Sequence, residues 1–225
     1  MKPFLFFFTI GMLIGFVGCS TPSTPQVEAP AIISRAEWKA VPPNLNATNE
    51  TGLYDQQTNP GGWKVYAEPL AKVLRTVVIH HSALPPTEGP LQIQRLHMRE
   101  RGYADIGYHF LIDPEGRIYE GRSLSVRGAH TAEHNTGTVG IVLLGNFDES
   151  RPAEKQLESA KTLLRYLVSK YKITHLAGHR DFVLGKTTCP GRYVEDIVWE
   201  WAGELDLTFG TAGYAHPNQP AKTVK

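Results

Sequence analysis

Apolar positions along the middle of the chain repeat with the periods of buried strands and amphipathic helices. Residues 74–80 are dense in β-branched side chains, which is typical of a buried strand. Residues 138–144 form a second such run, and residues 173–177 form a shorter one. Residues 152–170 place Leu and Ala side chains on one helical face with charged side chains opposite. This pattern predicts three strands and one long helix.

Turn and cap residues indicate the remaining elements. We expect a helix over residues 87–101, which have proline near the start and glycine after the end. Segments 108–112 and 117–120 flank the tetrapeptide Asp-Pro-Glu-Gly, which fits a type I turn, so they predict a hairpin. Residues 196–202 predict a last helix with Trp199 near the core. Strands that alternate with helices indicate an α/β (mixed α+β) domain with a central mixed β-sheet flanked by helices.

Residues 1–30 have the pattern of an export signal followed by a spacer. A basic N-terminus precedes an apolar run, residues 4–17, which is shorter than the ~20 residues that a membrane-spanning helix needs. The run ends near Cys19 and resembles a bacterial lipoprotein signal, in which cleavage before the cysteine frees its thiol for a lipid anchor; an ordinary signal peptide is the alternative. The chain then divides into a signal peptide (residues 1–18), a Ser/Thr/Pro-rich flexible tether (19–30), one domain (31–206) and a loose tail (207–225).

Composition limits the partners of this domain. The formal net charge is +1, so no long-range field favours nucleic acid. The length suits one domain with one core, and we expect a monomer. By the resemblance to lipoproteins, the anchor attaches the protein to a membrane, and Ser20 after Cys19 agrees with sorting to the periplasmic face of the outer membrane.

Two histidines and one cysteine lie at or beyond the ends of predicted strands. His80 ends the first strand-like run, His179 follows the last, and Cys189 comes ten residues later. With Cys19 lipidated, Cys189 has no intramolecular disulfide partner, so it is a buried apolar side chain, a reactive thiol or a metal ligand. Zinc selects imidazole and thiolate, and three protein ligands leave a fourth position for water. On spacing alone, structural histidines are the commoner explanation.

One zinc ion held in this way would suit amide hydrolysis. It lowers the pKa of a bound water from ~15.7 towards ~7, and the resulting zinc-bound hydroxide can attack an amide carbonyl. The charge that develops on the carbonyl oxygen needs hydrogen-bond donors. Tyr108 and Thr187 carry hydroxyl groups in suitable segments, and His81 and His109 are further polar candidates.

Seven ordered blocks of sequence resemble the peptidoglycan recognition protein domain, which also occurs in zinc N-acetylmuramoyl-L-alanine amidases (type 2 amidases). Among the matching motifs are Val-Ile-His-His-Ser-Ala, Gly-His-Arg-Asp and Cys-Pro-Gly. The blocks are residues 33–38, 78–83, 105–112, 118–122, 128–130, 139–147 and 178–191.

The resemblance implies a mixed sheet with a zinc ion in a surface groove, and a role for each matching residue. His80, His179 and Cys189 match the zinc ligands, and Tyr108 matches the catalytic tyrosine. Thr187 matches the position where catalytic members hold a Thr or a Lys. The implied reaction is hydrolysis of the amide between N-acetylmuramic acid and the L-alanine of the stem peptide, with peptidoglycan or muropeptides as partner.

Two other functions stay open at this point. One is a module of the same fold that binds muropeptide without cutting it; such members commonly have another residue at the cysteine position, whereas Cys189 is present here. The other is an exported structural domain with buried histidines. Departures from the family are a spacer between His179 and Cys189 that is about two residues longer, the absence of a cysteine pair for the disulfide of animal members, and an insertion at residues 44–64.

Further residues are candidates for contact with substrate. His130 and Asn135 lie in a segment that borders the groove in the family, and Arg122 is a candidate partner for substrate carboxylates. His81 and His109 complete this set of substrate-binding candidates. His97 is expected on a helix surface.

Overall fold

The computed structural model describes residue 1, residues 27–47 and residues 63–214. Residues 2–26, 48–62 and 215–225 lie outside this range, and so does the greater part of the predicted C-terminal tail. The predictions of a signal peptide, of a lipid anchor at Cys19 and of an enlarged insertion therefore stay predictions.

A seven-stranded mixed sheet forms the centre of the described part of the chain, in the order β1-β4-β3-β5-β2-β6-β7. Only β3 and β4 pair antiparallel, and every other neighbouring pair is parallel. The strands are β1 Ile32–Ile33, β2 Thr76–His81, β3 Phe110–Ile112, β4 Ile118–Glu120, β5 Thr138–Leu143, β6 His175–Gly178 and β7 Thr208–Phe209. The predicted mixed α/β class is confirmed.

Helices flank this sheet. They are α1 Leu70–Val73, α2 Pro90–Arg95, α3 Glu154–Tyr171, α4 His179–Phe182 and α5 Glu195–Glu204. The predicted helix over residues 87–101 begins at Pro90 and continues from α2 into a π-helical turn, Leu96–Glu100. Within the residues that the structure describes, no helix is both long and apolar enough to cross a membrane.

The two faces of the sheet are covered unequally, and this leaves room for a site. Side chains alternate between faces along a strand, so Ile79 lies in the large core with α3 and α5 while His80 points to the other face. That second face has a smaller apolar cluster, to which α2 contributes Ile93. The metal-ligand candidate of β2 therefore projects from the less covered face.

Strand register brings two distant histidines to one edge of the sheet. β2 and β6 are parallel, with Ile79 opposite Gly178. His80 directly follows Ile79, and His179 directly follows Gly178. Both histidines therefore lie at the carboxyl ends of neighbouring parallel strands. Such strand ends are where α/β sheets commonly bind ligands.

Three expectations from the sequence are corrected. Trp199 is 64% exposed, because Val198, Trp201 and Ala202 form the face of α5 that packs on the core. Residues 207–214 are not a loose tail, since Thr208–Phe209 pairs with β6. His97 is buried rather than on a helix surface.

Candidate metal centre

Three side chains from three separate elements converge on one point. His80 comes from the end of β2, His179 is the first residue of α4, and Cys189 lies in the loop that follows α4. Their ligand atoms all lie within 4.8 Å of one another. The Cys189 Sγ is 3.6 Å from His80 Nδ1, and the His80 and His179 ring centroids are 4.7 Å apart. The structure thus brings together the three ligands expected from the sequence.

The spacing of these atoms fits a tetrahedral zinc ion. Zinc bonds of ~2.3 Å to sulfur and ~2.1 Å to nitrogen at a tetrahedral angle separate the two ligand atoms by ~3.6 Å, which is the separation of Cys189 Sγ and His80 Nδ1. Three protein ligands leave a fourth position open, which is the pattern of a catalytic rather than a structural zinc site.

Burial sets the protonation of the three ligands in the metal-free protein. It lowers the pKa of His80 well below the usual value and that of His179 to about 4, so both imidazoles are neutral and ready to bind a metal. It raises the pKa of the Cys189 thiol to about 12. A metal ion that binds here must therefore displace the thiol proton.

Backbone and side-chain contacts hold the Cys189 loop in place. The Cys189 carbonyl accepts a hydrogen bond from the Arg180 N–H at 2.8 Å, and the His81 N–H points at the Cys189 Sγ at 3.4 Å. Asp148 accepts hydrogen bonds from the Thr188 hydroxyl at 2.6 Å and from the Arg192 N–H at 3.2 Å. Asp148 has no motif that would identify this role, so sequence reasoning missed it.

The two hydroxyl groups predicted for catalysis adjoin the ligands. The Tyr108 ring centroid is 5.1 Å from that of His80. Tyr108 and His179 line a cavity of about 160 Å³ together with Arg101, Tyr103, Ala129, His130 and Ala132. Burial raises the pKa of Tyr108, so it carries a phenol that can donate a hydrogen bond. The Thr187 Oγ1 accepts a hydrogen bond from the Cys189 N–H at 3.2 Å, and its own proton stays available for another partner.

His81 and His109 use ring nitrogens to bind the protein's own backbone. The His81 Nδ1 accepts a hydrogen bond from the Phe147 N–H at 3.2 Å. The His109 Nδ1 accepts one from the Gly140 N–H at 3.0 Å, so its Nε2 donates to the Val126 carbonyl at 3.1 Å. Burial lowers the pKa of His109 to about 4, which keeps it neutral. Both rings support the walls of the site.

Arg122 and Asn135 are also engaged inside the protein. Arg122 is 1% exposed, and its guanidinium donates to the backbone carbonyls of Ile106 at 2.9 Å and Arg127 at 3.0 Å. The Asn135 Oδ1 accepts hydrogen bonds from the N–H groups of His130 and Thr131 at 2.8 and 2.9 Å. These contacts fix the loops around the site, and they add no support to the prediction that either side chain contacts substrate.

His130 lies directly behind a metal-ligand candidate. Its Nδ1 is 3.0 Å from His80 Nε2 and 3.0 Å from Thr131 Oγ1. The resemblance to the family implied that His130 lies near the groove but gave no sign of this contact with His80, because the contact depends on the path of the loop after Gly128.

Comparisons with known proteins relate this site to one family. The family described as N-acetylmuramoyl-L-alanine amidase (Amidase_2) matches residues 70–192. Peptidoglycan-recognition protein SD of Drosophila melanogaster is 34% identical over 202 residues, which cover 85% of this chain and 95% of that protein.

Solved structures show the same likeness. The N-acetylmuramoyl-L-alanine amidase LysCS, an endolysin from Clostridium intestinale URNW, superposes with a TM-score of 0.55 at 33% identity, over 64% of this chain and 93% of that one. Peptidoglycan recognition protein LE, solved in complex with tracheal cytotoxin, a monomeric diaminopimelic acid-type peptidoglycan, gives a TM-score of 0.61 at 29% identity, over 76% of this chain and 94% of that one.

Proposed function

The chain belongs to the family of N-acetylmuramoyl-L-alanine amidases and peptidoglycan-recognition proteins, and from that membership and the metal centre we propose that it is a zinc-dependent amidase of peptidoglycan. Its substrate bond is the amide between N-acetylmuramic acid and the L-alanine of the stem peptide. The observation that carries the proposal is the convergence of His80, His179 and Cys189 within 4.8 Å beside Tyr108. A protein that only recognises muropeptide has no need of a complete ligand set with an open position.

Each part of the site has a task in this reaction. Zinc, when bound, would lower the pKa of water towards ~7 and polarise the amide carbonyl. Tyr108 and Thr187 donate hydrogen bonds to the carbonyl oxygen as negative charge develops there. Water adds to the carbonyl carbon, the carbon–nitrogen bond breaks, and a proton goes to the departing nitrogen. The products are the lactyl carboxylic acid on the sugar and a stem peptide with a free amino group.

A second candidate is a binding module that holds muropeptide without cleaving it. It is favoured by the 34% identity to a peptidoglycan-recognition protein and by the related protein solved with tracheal cytotoxin. Both candidate functions are compatible with this fold and this groove, so a direct assay of cleavage must separate them.

The experiment incubates the purified, zinc-loaded protein with defined muropeptides and follows release of stem peptides by mass spectrometry. We expect release that stops when a chelator removes the metal and that is lost in Cys189→Ala. The matched control is Ser169→Ala, which removes one heavy atom from an exposed position on α3. Circular dichroism confirms that each variant is folded. Binding of muropeptide by zinc-loaded protein with no peptide released would overturn the amidase proposal and leave the recognition module.

A further inference from the structure

His80 uses its two ring nitrogens in opposite directions. Its Nδ1 faces Cys189 Sγ at 3.6 Å, and its Nε2 lies 3.0 Å from His130 Nδ1. An imidazole that binds a metal through Nδ1 has no proton on that nitrogen, so its proton is on Nε2. In that state His80 Nε2–H is a donor, and His130 Nδ1 is its acceptor.

The surrounding chain fixes the His130 ring so that Nδ1 meets His80. Asn135 Oδ1 accepts hydrogen bonds from the backbone N–H groups of His130 and Thr131. These two bonds fix the backbone of the loop from which the His130 ring projects. The Thr131 hydroxyl lies 3.0 Å from the same His130 Nδ1. A side chain at Gly128 or Gly140 would come within 2.8 Å or less of the His130 ring, so these two glycines make the space that the ring occupies.

The rest of the His130 ring is enclosed by the protein. His130 Nε2 is buried, and the ring also has a hydrogen bond with the backbone of Thr138. A neutral imidazole with its proton on Nε2 has Nδ1 as its acceptor. In that tautomer the Nδ1 of His130 can accept the proton of His80 Nε2.

We propose that His130 is a positioning residue of the metal centre, which holds His80 in the tautomer and ring orientation that turn Nδ1 towards the metal. Outer partners of metal-bound histidines do this in zinc proteins generally, and their loss weakens metal affinity. The usual partner is a carboxylate, a backbone carbonyl or water; here it is a second, neutral imidazole. The inference rests on the proposed zinc site and gives His130 a role behind the ligand.

Zinc affinity of the full chain tests this role without any peptidoglycan. The metal-free protein competes with a chromophoric chelator for zinc, and cobalt substitution reports the ligand geometry through its absorption spectrum. We expect His130→Ala to weaken zinc binding by about 10–100-fold and to change the cobalt spectrum. The matched control is His175→Ala, a histidine on β6 that contacts Thr174, and it keeps the wild-type affinity and spectrum.

A pair of amide variants separates positioning from packing. His130→Asn can place its Oδ1 near the position of Nδ1 and so accept the proton of His80, whereas His130→Gln carries its amide further out. We expect His130→Asn to recover most of the zinc affinity that His130→Ala loses, and His130→Gln not to recover it. If His130→Ala does not fold, this pair carries the test by itself.

Each outcome decides one of two questions. Equal zinc affinity and equal cobalt spectra in wild type and His130→Ala, or equal affinity in the Asn and Gln variants, would overturn the positioning role and leave the amidase proposal intact. Wild-type protein that binds no zinc overturns both. Tight zinc binding that depends on His130, without release of stem peptide, upholds the positioning role and overturns the amidase.

Discussion

Tyr108 lies beside His80 with its hydroxyl protonated, because burial raises its pKa. Tyr108→Phe removes only the hydroxyl that would stabilise charge on the carbonyl oxygen. We expect kcat to fall by about 10²–10³-fold, as for the loss of one oxyanion donor, with zinc affinity unchanged. Steady-state kinetics and chelator competition measure the two quantities. Tyr171→Phe at the end of α3 is the control, and full turnover in Tyr108→Phe would show that the phenol does not act on the substrate.

The buried His97 side chain is expected to make the free energy of unfolding depend on pH. It is 2% exposed, its Nδ1 accepts a hydrogen bond from the Gly107 N–H at 2.9 Å, and burial lowers its pKa to about 3. The unfolded chain binds the proton near pH 6.5, so the folded state loses stability as the pH falls from about 6.5 towards 3.

His97→Asn tests this dependence, because asparagine does not titrate and keeps an oxygen near the position of Nδ1. We expect the unfolding free energy of the wild type to fall by about 2 kcal/mol more than that of His97→Asn between pH 7 and pH 5. Urea unfolding at the two pH values gives the difference. Parallel pH profiles for the two proteins would contradict the assignment, and His134→Asn is the control in a half-buried loop.

At the scale of elements, α5 offers a matched pair of tryptophans. Trp201 is 4% exposed in the large core, while Trp199 lies on the outer face of the same helix. Trp201→Ala is expected to cost about 3–5 kcal/mol of unfolding free energy, and Trp199→Ala less than about 0.5 kcal/mol. Denaturant unfolding of both variants checks the orientation of the helix. Similar losses in the two would mean that α5 is rotated from the face described.

The elements with a strong period were predictable, and those without one were not. β2 and β5 are buried along all six residues, and the β-branched side chains in each made the strand recognisable. α3 has one apolar face over 18 residues and was found from its spacing. β7 is only two residues long, and both are exposed. Its position depends on pairing with β6, which no local pattern encodes. Trp199 was misplaced because a helix of ten residues with two tryptophans gives no unique register.

The candidate site divides in the same way. The identities of His80, His179 and Cys189 were available from residue types and resemblance, since each lies at or beyond a strand end. The approach of His80 and His179 follows from the parallel register of β2 and β6, and that of Cys189 from the loop after α4, and only the fold supplies both. The contact between His130 and His80 depends on loop geometry, and the sequence contains no period or motif that encodes it.

At the scale of the whole molecule, the proposed zinc ion would join β2 to α4 and the Cys189 loop, which lie far from β2 in sequence. A ligand that binds only the folded state stabilises it by ~2.7 kcal/mol at a concentration 100 times its Kd. For a domain of this size we expect Tm to rise by about 5–10 °C with zinc. Magnesium, which prefers oxygen ligands, should leave Tm unchanged, and so should zinc with Cys189→Ala.

The direction of the pH effect on this stabilisation follows from the thiol. The pKa of Cys189 is raised to about 12 and that of His179 lowered to about 4 in the metal-free protein. Between these values zinc displaces one proton from the thiol, so its affinity rises about tenfold per pH unit. The Tm gain at fixed zinc concentration should therefore be larger at pH 8 than at pH 6, as calorimetry at the two pH values measures. An equal gain in Tm at pH 6 and pH 8 would mean that the Cys189 thiol is already ionised before the metal binds.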